Sequence, residues 1–190
     1  MKIAITGGIG SGKSYVCRQL EERGIRVYDC DAAAKRLMRG SEDLRRKLCS
    51  IVGDGLYVNG VLQKAVLSCY LLASEENARR INDVVHPAVA EDFEHSDYDW
   101  LESAIFFDSG FDRRVHVDKV VCVTAPMETR IARVMARDGI SREKTLEWIA
   151  RQLPQEVVIS HSDYEIVNDG KADIDEQIDK ILNQMNHINH

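Results

Sequence analysis

A glycine-rich segment near the start of the chain, GGIGSGKS (Gly7–Ser14), constrains the fold more than any other feature. It matches the pattern G-x-x-x-x-G-K-[ST]. The run before it, KIAIT (residues 2–6), is short and rich in β-branched residues, which predicts a buried strand. The run after it, SYVCRQLEERG (14–24), has apolar residues at helical spacing and ends in glycine. A strand, a glycine loop and a helix in this order predict an α/β fold.

The glycine loop has the composition of a phosphate-binding site. Glycines allow consecutive backbone N–H groups to turn inward around an anion, and Gly8 and Gly10 permit a close approach of the backbone. The helix that starts near Lys13 adds the positive end of its dipole. Lys13 would then reach the β- and γ-phosphates of a nucleoside triphosphate, and the Ser14 hydroxyl would bind Mg²⁺. The alternative is an ordinary glycine-rich turn ahead of a lysine.

Four further segments have the length and composition of strands. The pattern of the glycine loop is the P-loop motif. Together with this loop and the first strand, the four segments predict a P-loop NTPase-type parallel sheet of five strands flanked by helices. The segments are IRVYD (25–29), LESAIFF (101–107), KVVCVT (119–124) and YEIVN (164–168). The core of this single domain is therefore expected at residues 1–31, 97–125 and 157–190.

The region between the second and third predicted strands, residues 32–96, is mostly helical in pattern. It is too long for one crossover connection, so we expect an inserted helical subdomain at the edge of the sheet. Pro87 is expected to start a new helix, with the previous helix ending before His86.

Two helices follow Pro126, and the first carries Arg130, Arg133 and Arg137 on one face. A row of arginines is often only the solvated side of an amphipathic helix. A helix–loop–helix with inward arginines, at residues 126–156, would instead act as a lid that stabilises phosphoryl charge and excludes water. The lid is the interpretation that we favour.

Acidic residues follow two predicted strands. Asp29-Cys30-Asp31 ends the second strand, which we expect to lie beside the strand that precedes the glycine loop. Strand alternation would point Asp29 and Asp31 to the same side, where a carboxylate accepts a proton from a hydroxyl or holds a magnesium-bound water. Alternatively, Asp31 caps the next helix. Asp108 ends the third strand and would lie near the metal or acceptor, or be a solvated turn residue.

Composition limits the partners of the chain. The 190 residues have a formal net charge of −6, so the chain lacks the overall basic character of a nucleic-acid-binding protein. The five cysteines are odd in number and form no C-x-x-C pair, which favours reduced thiols in the cytoplasm. No signal-peptide pattern and no membrane-spanning run are present, so no membrane partner is expected.

Five motifs together resemble the dephospho-CoA kinase family: TGGIGSGKS, DCD, NDVVHPAV, RVMARDGISRE and IVNDG. They span nearly the whole chain, and their order and spacing are more specific than the first motif alone. The resemblance implies a P-loop fold with a core, a helical substrate-binding region and a lid. It also implies transfer of the γ-phosphoryl group of ATP, with Mg²⁺, to the 3′-hydroxyl of the ribose of dephospho-CoA. We expect a monomer or a weak oligomer.

The resemblance also assigns roles to individual residues. Asp31 would be the base on the ribose hydroxyl, with Lys13 and Arg137 as the other catalytic residues. Ser14 would bind the metal, and Asp29 would position a water bound to it. His86 and Asp108 would bind the acceptor. ATP would be held by Gly8, Gly10, Ser11, Gly12, Lys13, Ser14, Tyr15 and Arg142, with Asn168 and Gly170 near its adenine.

Two positions depart from the family pattern. Tyr15 stands where most relatives have threonine. AIFFD (104–108) stands where relatives often have PLLFE, so the carboxylate is kept at Asp108 on a side chain one methylene shorter. A nucleoside or nucleoside-monophosphate kinase is the alternative enzyme, although the long insert with HPAV argues against it. A GTP-operated switch is a second alternative, but the chain lacks the base-reading motif N-K-x-D.

Overall fold

The computed structural model describes residues 1–188 of the chain. It contains two compact units. One unit joins Met1–Tyr28 to the chain from Tyr98 onward, and the other is formed by Asp29–Asp97. The second unit is therefore an insertion in the sequence of the first. No helix within the described residues is long and apolar enough to cross a bilayer.

A five-stranded parallel sheet organises the first unit and confirms the predicted fold class. Thr6, the last residue of the first strand, lies opposite Cys122 of a neighbouring strand. The segment after Thr6 therefore begins where two carboxyl ends of strands meet, the usual position of ligand sites in such sheets. The sheet strands are β1 (Ile3–Thr6), β2 (Val27–Asp29), β5 (Trp100–Glu102), β6 (Lys119–Thr124) and β7 (Tyr164–Val167), in the spatial order β2-β5-β1-β6-β7, while β3 (Tyr57–Val58) and β4 (Val61–Leu62) belong to the second unit.

Helices α1 (Lys13–Glu22) and α9 (Ile174–Ile188) border the main apolar core of the first unit. Alternate residues of a strand point to the same face of a sheet, so Ile3 and Ile5 of β1 face these helices together. The other buried members of the core are Val16, Leu20, Trp100, Val121, Val123, Ile166, Ile174, Ile178, Ile181 and Met185.

Two expectations about the sheet are wrong. Strand β5 lies between β1 and β2, so the second strand is not beside the strand that precedes the glycine loop. Strand β5 also ends at Glu102, and residues 104–110 form turns, so Asp108 does not end a strand. The apolar run that suggested a longer strand packs instead as a turn, with Phe106 buried and its ring edge-on to that of Phe111. Short apolar runs do not distinguish these possibilities.

Three helices connect β6 to β7 in the sequence: α6 (Met127–Asp138), α7 (Arg142–Ala150) and α8 (Gln155–Ser160). Helix α6 ends at Gly139, whose φ of 65° is the left-handed conformation that commonly terminates helices. Helix α7 is capped by Ser141, whose hydroxyl accepts the N–H of Lys144. The lid predicted for residues 126–156 coincides with α6, α7 and the start of α8, and its function as a lid stays a prediction.

The second unit consists of α2 (Cys30–Gly40), α3 (Glu42–Val52), α4 (Lys64–Ala73) and α5 (Glu75–Glu94), with a short hairpin of β3 and β4 between α3 and α4. Helix α5 packs against the other three helices. The expected break before Pro87 is wrong, because Pro87 lies inside a continuous α5. Buried residues on both sides of it, including Val85 and Val89, keep the helix packed and outweigh the missing N–H.

Candidate active site

The glycine loop follows β1 directly and has a backbone that only glycine adopts easily. Gly10 has a φ of 79° and Gly12 a φ of 96°, both in the left-handed region. Space is also lacking, since a Cβ on Gly10 would lie 2.6 Å from the carbonyl oxygen of Arg130. A Cβ on Gly12 would lie 2.1 Å from Nδ2 of Asn168. A side chain at either position would therefore strain the backbone and would force neighbouring atoms to move.

The loop leads into the N-terminus of α1, where Gly12 is the N-cap and provides no side-chain hydrogen bond. The first N–H groups of a helix have no intrahelical acceptor, so they form a binding site for an anion. Ser14 and Tyr15 are exposed in this first turn. Ser11 is fully buried, and its Oγ has no hydrogen-bond partner among the described residues.

The side chain of Lys13 folds back across the loop. Its Nζ donates a 2.8 Å hydrogen bond to the carbonyl oxygen of Gly7 and lies 3.7 Å from Oε1 of Glu102 at the end of β5. Sequence analysis missed Glu102, although an acid directly after the apolar pair Trp100-Leu101 is a usable signal. The arrangement holds an ammonium group at the beginning of the phosphate-binding loop.

Side chains from outside the loop donate to its backbone carbonyls. Nε of Arg130 donates to the carbonyl oxygen of Ile9 at 2.9 Å, and burial lowers the pKa of this guanidinium. Arg133 donates to the carbonyl oxygen of Ser11 at 3.2 Å, and Nδ2 of Asn168 donates to the same oxygen at 3.1 Å. Arg130 and Arg133, expected to face bound phosphates from a lid, therefore contact the loop itself.

The segment after α7 is tied to two other parts of the first unit by hydrogen bonds. Oε1 of Gln152 accepts the N–H of Ile9 at 2.7 Å, a contact that sequence analysis did not anticipate. The N–H of Leu153 donates to Oδ1 of Asp108 at 2.5 Å. Asp108 thus anchors the chain that follows α7, and its expected place on the acceptor side stays a prediction.

The two other arginines that we assigned to ATP are exposed and paired with carboxylates. Arg137 donates two hydrogen bonds to Asp138, which raise the pKa of the Arg137 guanidinium. Arg142 donates to both carboxylate oxygens of Glu128, at 2.7 and 2.6 Å. Contact of either arginine with phosphates stays a prediction, and it requires exchange of these carboxylates for phosphate oxygens.

The acids after β2 differ from the expected arrangement. Asp29 ends the strand and caps α2, with its Oδ1 accepting the N–H of Ala32 at 2.8 Å. Cys30 and Asp31 already belong to the helix, so the strand alternation assumed for the two carboxylates is wrong, and the cap is Asp29 rather than Asp31. Asp31 is exposed in the first turn of α2, and His86 is half-buried in α5. Their catalytic and substrate roles stay predictions.

The residues expected near adenine lie at and after the end of β7. The backbone N–H of Asn168 donates to the carbonyl oxygen of Thr124, and its buried side chain bonds to Arg133 and Ser11. Gly170 has a φ of 84° in the turn that follows. The structure therefore brings Asn168 to the glycine loop, while its contact with adenine stays a prediction.

Known proteins resemble this chain over most of its length. Residues 1–174 match the family model described as dephospho-CoA kinase. A dephospho-CoA kinase of Bacteroides fragilis is 38% identical over 189 residues, covering 96% of this chain and 91% of the relative. One of Porphyromonas gingivalis is 39% identical over 173 residues, covering 87% and 85%. A solved structure from Thermus thermophilus superimposes with a TM-score of 0.80 at 31% identity, covering 97% of both chains.

The sequence match extends through the glycine loop, the second unit and the α6–α7 region, and the recognised resemblance is thereby confirmed. The chain belongs to the dephospho-CoA kinase family.

Proposed function

We propose that this chain transfers the γ-phosphoryl group of ATP to the 3′-hydroxyl of the ribose of dephospho-CoA. The observation that carries the proposal is the loop after β1, in which Nζ of Lys13 donates to the carbonyl oxygen of Gly7 and lies near Glu102. Inward N–H groups, a helix N-terminus and an ammonium group together suit a triphosphate. Membership of the dephospho-CoA kinase family supports the choice of acceptor.

The loop residues supply binding and electrostatic stabilisation. The nest around Gly10 and Gly12 holds phosphate oxygens, and Lys13 stabilises the charge that spreads over the transferred group. The carboxylate of Glu102 attracts the ammonium group of Lys13 and limits the positions that this group occupies.

Magnesium is the expected metal, and the oxygen donors present fit it. We propose that the hydroxyl of Ser14, exposed in the first turn of α1, binds Mg²⁺ together with the phosphates. Asp29 caps α2 through one oxygen, and its second oxygen would hold a metal-bound water. When bound, the ion would neutralise phosphate charge.

For the acceptor, we propose that the exposed carboxylate of Asp31 takes the proton of the 3′-hydroxyl. The hydroxyl oxygen then forms a bond to the γ-phosphorus, and the bond to the oxygen of ADP breaks. His86 and Asp108 are proposed to contact dephospho-CoA.

For ATP, we propose that residues 126–156 close as a lid, with Arg137 and Arg142 leaving their carboxylates to contact phosphates. Tyr15 and Gly8 belong to the phosphate site. Asn168 and Gly170 are proposed to border the adenine. Because the Asn168 amide is bonded at both ends, its contact with the base would come from its backbone.

We further propose that the protein works in the cytoplasm as a monomer or weak oligomer, with small-molecule substrates and without nucleic-acid or membrane partners. The acidic composition and the odd number of cysteines, which form no C-x-x-C pair, support this assignment.

The direct test measures ATP consumption with and without dephospho-CoA, and identifies the product by mass. Nucleosides and nucleoside monophosphates at the same concentration serve as competing acceptors. We expect ADP formation to depend on dephospho-CoA and the product to gain one phosphoryl group. Preferential phosphorylation of a nucleoside or nucleotide would contradict the proposed substrate and favour the alternative kinase.

A further inference from the structure

Three consecutive carbonyl groups of the glycine loop accept hydrogen bonds from side chains outside it. Arg130 donates to Ile9, and Arg133 donates to Gly10 at 3.4 Å and to Ser11 at 3.2 Å. The side chain of Asn168, which is 8% exposed, also donates to Ser11. All these donors lie in α6 or directly after β7.

Two of the three donors, Arg133 and Asn168, are also connected to each other. Nη2 of Arg133 donates to Oδ1 of Asn168 at 3.0 Å, while Nδ2 of Asn168 donates to Ser11. The guanidinium and the amide therefore fix each other and share one acceptor, the carbonyl oxygen of Ser11. Such a closed arrangement leaves little rotational freedom to either side chain.

The direction of these carbonyls determines where the N–H groups point. In a trans peptide the C=O of one residue and the N–H of the next point in opposite directions. Fixing the carbonyl of Ile9 therefore directs the N–H of Gly10 the other way, and fixing that of Ser11 does the same for Gly12. The N–H of Ser11 closes the loop on the carbonyl oxygen of Gly8 at 3.1 Å.

We propose that Arg133 and Asn168, supported by Arg130, are positioning residues that hold the peptides of the glycine loop with the N–H groups of Gly10 and Gly12 directed at the triphosphate. Glycine peptides otherwise rotate easily, because glycine accepts both signs of φ. If the loop adopts the ATP-binding conformation for only a fraction of the time, the apparent Kd of ATP equals the intrinsic Kd divided by that fraction. The role of these residues is thus to keep the anion-binding conformation populated before ATP arrives.

This inference deepens the proposed function, because it concerns the ATP side of the same reaction. The test measures the Kd of ATP directly by calorimetry, without dephospho-CoA, so it does not depend on the identity of the acceptor. If the wild type bound ATP but failed to phosphorylate dephospho-CoA, the proposed function would fail while the positioning role was still tested.

Arg133→Met removes the guanidinium donors and keeps an unbranched side chain. Asn168→Ala removes the amide donor and leaves a smaller side chain. We expect each variant to raise the Kd and KM of ATP about tenfold, because the loop would adopt the ATP-binding conformation in only about one tenth of the molecules. The KM of dephospho-CoA and kcat at saturating ATP should change much less. A fall in kcat at unchanged ATP affinity would overturn the proposal.

The double variant provides a second, sharper criterion. Because both side chains act on the carbonyl of Ser11, the combined effect on the Kd of ATP should be clearly smaller than the product of the single effects. Multiplicative effects would show independent roles and contradict the proposal.

Arg133→Lys separates positioning from charge. Lysine keeps the positive charge but lacks the planar fork that reaches Ser11 and Asn168 together. We expect at most partial recovery relative to Arg133→Met, and full recovery would mean that charge alone matters. In amide NMR spectra, the Gly10 and Gly12 signals of Arg133→Met should broaden or shift, and unchanged signals would contradict a positioning role.

Arg23→Met is the matched control. Arg23 also donates to two side chains, Asp175 and Asp179, but these lie on α9. Its loss should lower the thermal midpoint without changing the Kd of ATP. If this control weakened ATP binding as much as Arg133→Met, the effect would reflect general destabilisation and the proposal would fail.

Discussion

Oε1 of Glu102 lies 3.7 Å from Nζ of Lys13, and the two side chains are only 17% and 10% exposed. The pair joins the end of β5 to the end of the glycine loop, where α1 begins. Low exposure reduces screening by water, so the carboxylate has a larger effect on the ammonium group than it would on the surface. The carboxylate therefore attracts the ammonium group of Lys13 and limits the positions that it occupies.

Replacing the acid tests this relationship. Glu102→Gln keeps the size of the side chain but removes its charge, so Lys13 is held less firmly during transfer. We expect kcat to fall about tenfold, equivalent to about 1.4 kcal/mol in activation free energy. Steady-state kinetics at saturating ATP and dephospho-CoA provide the measurement. Glu165→Gln, an acid on β7 bonded to Thr124, is the control and should retain kcat. Equal rates for both variants would contradict the role of Glu102.

The proposed base is tested by Asp31→Asn, which cannot accept the proton of the ribose hydroxyl. We expect transfer to fall about 10²- to 10⁴-fold, the usual contribution of a general base, while ATP still binds. Single-turnover kinetics and the Kd of ATP measure the two effects separately. Asp43→Asn alters an acid in the first turn of the next helix, α3, and should leave transfer intact. Near-normal turnover of Asp31→Asn would exclude this residue as the base.

The glycine loop is expected to tolerate no side chain at Gly12. Gly12→Ala combines a φ of 96° with a Cβ placed 2.1 Å from Nδ2 of Asn168, so the loop or the Asn168 side chain that bonds to it must shift. We expect ATP affinity to fall more than about tenfold. Gly24→Ala is the control, because Gly24 has a φ of 79° but no atom within 4 Å of the added Cβ. It should cost about 1–2 kcal/mol of stability through backbone strain alone and leave ATP affinity unchanged.

Acid sensitivity of the sheet is expected from Asp118. Its Oδ2 accepts the N–H of Lys2, and this hydrogen bond, helped by His116, holds the pKa of the Asp118 carboxyl below its ordinary value. A lowered folded-state pKa stabilises the fold above the ordinary pKa of aspartate, and this contribution disappears as pH falls through the folded value. Urea unfolding should therefore show Asp118→Asn to be less stable than wild type at pH 7, with the difference shrinking as pH falls below the ordinary aspartate pKa of about 3.9. A difference that is independent of pH would contradict the assignment.

Local patterns predicted much of the fold. The loop Gly7–Ser14, α1 and the order of strands along the chain follow from residues that are neighbours in sequence. The position of β5 between β1 and β2 did not follow, because strand order depends on which surfaces pack together. The continuous helix through Pro87 also depended on packing, since local propensity favours a break there.

The sequence by itself predicted a phosphate-binding loop, because the spacing of Gly7, Gly12 and Lys13 is that of a backbone nest followed by a positive charge. Only the tertiary structure decided which side chains hold that nest in place. Arg133 and Ser11 are 122 residues apart in sequence, and Asn168 and Ser11 are 157 apart. Such contacts exist only after β6 has paired with β1 and β7 with β6, and no local pattern encodes that packing.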